Sequence, residues 1–104
     1  MNIHTLIYID SNGKIFSSNL DSSIGVLKTK IELDDYNIFE VNTKDNLRQN
    51  QELNDLFSPF DIKAILITNI SNGGYIAFAN KNNKYWNPNE KATLFYLAEL
   101  LTTK

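Results

Sequence analysis

Apolar positions along the chain follow two periods, one extended and one helical. IHTLIYID sets Ile3, Thr5, Ile7 and Ile9 on one side of an extended segment and Leu6 and Tyr8 on the other, which predicts a central strand covered on both faces. DSNGK follows, with Asn12 and Gly13 tolerant of positive φ, and KIFSSNL resumes the alternation, so the pair reads as a hairpin. From Gly25, VLKTKIEL alternates Leu27, Ile31 and Leu33 against Lys28, Lys30 and Glu32. One wet face and its lysines predict a strand near a sheet edge. After a bend at Asp34-Asp35, YNIFEVN is a further strand or an extended connection.

TKDNLRQNQELNDLF changes the period. Leu53, Leu56 and Phe57 stand at helical spacing, Thr43 or Asp45 can cap the start, and Ser58-Pro59 stops the helix. IKAILITNI and GYIAFAN, nearly continuous in apolar residues and joined by Ser71-Asn72-Gly73-Gly74, predict a hairpin at the sheet centre. Asn87 as N-cap, Pro88 at the first helical position and Glu90 three after the cap form a capping-box variant. Beyond them Leu94, Leu97, Ala98 and Leu101 share a face, with Phe95 and Leu100 flanking it on opposite sides. That apolar arc is wider than one sheet contact needs. No stop signal follows at Thr102-Thr103-Lys104, so the helix is expected to run on. Runs of strands with helices segregated to one side define an α+β domain with an antiparallel sheet.

Composition narrows the chemistry. The 104 residues suffice for one domain with one core, and five Tyr, six Phe and one Trp argue for a folded chain. Net charge is −2 and the ten basic residues are scattered, so nothing resembles a phosphate-binding stripe and nucleic acid is not an expected partner. The absence of cysteine removes thiol nucleophiles, thiolate zinc sites and cysteine-linked chromophores. The opening segment has no basic n-region or cleavage site and is cut short by Asp10, so it reads as neither signal peptide nor membrane span. A cytoplasmic location is expected, in which the sequon at Asn69 has no consequence.

Catalytic vocabulary is sparse. His4 is the sole histidine, on the first strand among apolar neighbours, and reads as structural rather than as a metal or haem ligand. Asp34 and Asp35 are adjacent, so in extended chain their side chains diverge and suit a turn better than paired acid-base work. No Gly-x-Ser-x-Gly elbow occurs, and Gly73-Gly74 lacks the lysine and spacing of a phosphate loop. Trp86 reads as a staple holding the last helix to the sheet, the alternative being a platform on which a ligand stacks.

Three stretches together resemble a GAF domain, the small-molecule sensory module of signalling proteins. DIKAILITNISNGGYIAFANKNNKYWNPNEKATLFYLAELL is similar to the family's C-terminal half, HTLIYIDSNGKIFSS to its opening hairpin, and IFEVNTKDNLRQNQELNDLF to its middle strand and short helix. The resemblance implies an α+β, GAF-like (profilin/PAS-like) fold. In it an antiparallel sheet of five or six strands carries a short helix and a packed C-terminal helix, in one domain over residues 1–104. It implies a non-catalytic sensory or regulatory domain of a cytoplasmic bacterial signalling protein. Such a domain binds a small molecule of unidentified chemistry or a partner, and transmits through the C-terminal helix. A homodimer through that helix is implied; a cofactor, a metal, nucleic acid and a membrane are not. The family's Asn-Lys-Phe-Asp-Glu cyclic-nucleotide run is absent.

The resemblance places a ligand pocket between the short helix and the sheet, lined by Tyr36, Phe39, Phe57, Asp61 and Thr68, each with a purely structural role as the alternative. The compact segment from Ser17 to Asp34 leaves little material to roof it, which favours a pocketless dimerisation or partner-docking module instead. A cavity of roughly 300 Å³ or more there distinguishes the sensor from the docking module.

Overall fold

A computed structural model describes residues 5–18, 25–71 and 73–102 of the chain, so that His4 and Asn72 lie outside the described residues. Six strands, β1 (Thr5–Ile9), β2 (Lys14–Ser17), β3 (Gly25–Val26), β4 (Ile38–Val41), β5 (Ala64–Asn69) and β6 (Tyr75–Asn80), form one sheet. Its order is β3-β2-β1-β6-β5-β4 and each neighbouring pair is antiparallel. The segments with nearly unbroken apolar runs, β1, β5 and β6, occupy the interior of the sheet, as their two-faced pattern requires. Two short helices, α1 (Lys44–Arg48) and α2 (Gln51–Phe57), precede a 3₁₀ turn over Ser58–Phe60, and a long helix, α3 (Pro88–Thr102), closes the chain.

The β1–β2 turn is built by Asp10, whose carboxylate accepts the N–H groups of Asn12 and Lys14, both at 2.9 Å. Gly13 adopts φ 87°, and a Cβ there would lie 2.2 Å from the Leu27 carbonyl oxygen, so both conformation and space demand glycine. Asp34 shapes the next bend in the same way, accepting from Tyr36 and Ile38 with one carboxylate oxygen.

Alternation along the strands divides the core in two. On one face Ile7, Ile9, Ile15, Val41, Ile65 and Ile67 pack with Leu47 of α1 and with Leu53 and Phe57 of α2. On the other, Ile38, Leu66, Ile76 and Phe78 pack with Trp86 and with Leu94 and Ala98 of α3. The helices therefore lie on opposite faces of the sheet and are not segregated to one side, because β5 and β6 are apolar on both sides and each face needs cover. Each fully buried Leu, Ile or Phe contributes about 1.5–3 kcal/mol of transfer free energy.

Two segments differ from the sequence pattern. VLKTKIEL keeps its inside-outside alternation, with Leu27 and Ile31 buried, yet the strand ends at Val26. The reason is Glu52 on α2: its carboxylate accepts the N–H of Lys28 at 2.6 Å, the N–H of Thr29 at 3.3 Å and the Thr29 hydroxyl, replacing ladder partners with a side-chain clasp. The predicted single short helix is split, because Asn50 adopts an extended conformation and caps a second start by accepting from Leu53 N–H at 3.1 Å. Thr43, not Asp45, caps the first, accepting from Asn46 N–H. Among the described residues no helix is long and apolar enough to cross a membrane.

Candidate functional site

The region between α1–α2 and the sheet is packed. Leu47, Leu53 and Phe57 are fully buried there, against Ile65 and Ile67 of β5. Among the described residues, open grooves lie at its margins. One of about 340 Å³ runs along edge strand β4, bordered by Phe39, Val41, Asn46 and Asn50. Another of about 450 Å³ lies between β3 and α2, bordered by Val26, Thr29, Glu52 and Leu56. In the second, hydrogen bonds from Thr29 and Lys28 hold the Glu52 carboxyl below the usual carboxylate range.

The five residues expected to line a pocket do not converge. Phe57 is fully buried in the core, and Phe39 packs at the edge of that cluster and borders the β4 groove. Thr68 lies on the opposite face, in register with Ile38 and Ile76 on the α3 side, and its hydroxyl donates to the Asn37 carbonyl at 2.7 Å. Tyr36 is 79% exposed on the Asp34 turn. Asp61 is exposed and left-handed, φ 62°, where it ends the 3₁₀ turn. Only Phe39 and Phe57 share a neighbourhood.

Trp86 is a staple. It is buried, its Nε1–H donates to the Val41 carbonyl at 3.1 Å, and its ring stacks on Phe78 at 6.4 Å between centroids. The start of α3 is fixed around it. Asn87 and Glu90 exchange backbone and side-chain hydrogen bonds at 2.9 Å, and the largely buried Lys84 ammonium meets Glu90 at 2.9 Å. Helix α3 is thus anchored firmly at its first turn.

Helix α3 covers only part of its side of the sheet among the described residues. It packs over β5 and β6, and Leu6 and Tyr8 of β1 are only partly buried at its flank. Beyond them, Phe16 pairs with Tyr8 across the strands, the rings stacked at 6.3 Å, and stays 36% exposed. Lys14 shares that face and sets its ammonium 5.5 Å from the Phe16 ring; Val26, its partner on β3, is 50% exposed. The signal available in the sequence was parity: in KIFS, Phe16 sits opposite the buried Ile15 and Ser17.

On α3 the buried residues are Leu94 and Ala98, while Tyr96 is 61% and Leu100 49% exposed. Lys91 reaches Glu40 of β4 at 3.1 Å, which orients the helix. Leu97 and Leu100 lie about 120° and 180° round from Lys91 at 3.6 residues per turn, so that Leu97 points toward β1. Among the described residues no group of three His, Cys, Asp or Glu side chains could hold a metal ion.

Comparison of the chain with protein-family models, curated proteins and solved structures gives no match.

Proposed function

We propose that the chain is a GAF-like regulatory domain that works by contact, forming a homodimer along α3, without an internal ligand chamber. The observation that carries this reading is the surplus on α3: Leu94 and Ala98 already satisfy its own sheet, yet Tyr96, Leu100 and Leu101 remain exposed. The packed interior beneath α1–α2 favours contact over ligand capture. The resemblance of residues 4–18, 38–57 and 61–101 to the GAF family suggests a cytoplasmic signalling context, and the sparse catalytic inventory supports a non-catalytic role. Sedimentation velocity tests it: a dimer at micromolar concentration that Leu100→Glu converts to monomer is expected. A monomer at high micromolar concentration, unchanged by that substitution, overturns it.

A small-molecule sensor is the second reading, favoured by the groove of about 340 Å³ beside Phe39. Native mass spectrometry of the purified protein separates the two. A stoichiometric small molecule that Phe39→Ala releases supports the sensor; the bare chain mass supports the contact module.

A further inference from the structure

The half-covered sheet face and the surplus of α3 lie on the same side of the sheet, and together they have the shape of a socket and its plug. Strands β1, β2 and β3 span about 10 Å at the usual strand spacing, close to the 10–12 Å width of one helix. Leu97 walls this shelf on the α3 side, Tyr8 and Phe16 floor it, and Val26 lies at its outer edge. On α3, Ala92, Tyr96 and Leu100 are all exposed and recur every fourth residue, the spacing of a packing ridge. The charges match as well: Lys14 rims the shelf, and the exposed Glu99 flanks the ridge, in the helical row of Phe95.

Resting on the dimer reading above, we propose that the shelf of Tyr8, Phe16 and Val26 seats the Ala92–Tyr96–Leu100 ridge of a second copy of this chain, with Lys14 meeting Glu99 of that copy. A two-fold axis makes both contacts twice, since each chain offers one shelf and one ridge. Both α3 helices then lie side by side between two sheets. Phe95, on the flank that carries Lys91, stays outside the contact.

The test is a charge swap read by sedimentation equilibrium on the full chain. Lys14→Glu and Glu99→Lys should each raise the dimer dissociation constant about threefold or more, and the double variant should return it to within about twofold of the parent. Phe16→Glu should raise it at least about tenfold, and Phe95→Glu should leave it unchanged. Circular dichroism confirms that each variant folds, and the surface swap keeps the test decisive if Phe16→Glu does not. A dimer broken by Leu100→Glu but indifferent to Lys14→Glu and Glu99→Lys overturns the shelf and leaves the α3 dimer standing. A parent chain that is monomeric at high micromolar concentration overturns both.

Discussion

On the α1–α2 side of the sheet, apolar side chains of five strands, from Ile15 on β2 to Val41 on β4, disappear beneath Leu47, Leu53, Phe57 and the segment that Glu52 holds down. On the α3 side, full cover stops at β6, and the aromatic pair Tyr8–Phe16 continues the sheet into partial exposure. Among the described residues, one face is closed by two short helices and a clasped loop, the other by a single helix too narrow for six strands. The closed face provides stability and the open one provides surface.

Substitutions should separate the faces. The largest effect is expected for Phe57→Ala, which empties the closed core and should cost about 3–5 kcal/mol in urea denaturation; a cost below about 1 kcal/mol would mean that face is looser than described. Next, Trp86→Phe removes the indole N–H bonded to Val41, and Asn87→Ala removes the cap of α3. Each should cost about 1 kcal/mol, with the α3 side losing its hydrogen-exchange protection first. Glu52 gives a pH signature for the closed side. Its folded pKa is lowered by Thr29 and Lys28, so its contribution is present above the ordinary glutamate value and is lost as pH falls through the folded value. Thermal melts of Glu52→Gln should show a shallower loss of stability on acidification than the parent. The smallest effect belongs to Phe16→Ala, expected within about 0.5 kcal/mol in the monomer. A cost like that of Phe57→Ala would make the shelf part of the core.

What the sequence discloses of this design follows the range of the forces involved. The two hairpins and the capping box at Asn87 are local, set by turn chemistry and by residues three apart, and they stand where the pattern places them. Trp86 was legible as a staple because an aromatic just ahead of a capped helix has few other places to go. The Glu52 clasp joins residues 24 apart, and nothing in VLKTKIEL announces that its N–H groups will leave the ladder. The resemblance makes Phe39 and Thr68 neighbours in one pocket, but register pairs Thr68 with Ile38, which puts it through the sheet from Phe39. Strand order and register, unlike strand identity, are fixed by contacts the linear pattern does not carry. The same holds for the open shelf, visible only once α3 is known to lie over β5 and β6.

A second copy seated on the open half of the α3 face would bring Phe16 against Tyr96 and Leu100 of its neighbour. Isotope-filtered nuclear Overhauser spectroscopy on a mixed labelled and unlabelled dimer reads that contact directly. Cross-peaks between the Phe16 ring of one copy and the Tyr96 and Leu100 side chains of the other are the predicted result. A dimer whose intermolecular cross-peaks involve Phe95 or the α1–α2 side, with none to Phe16, would contradict it.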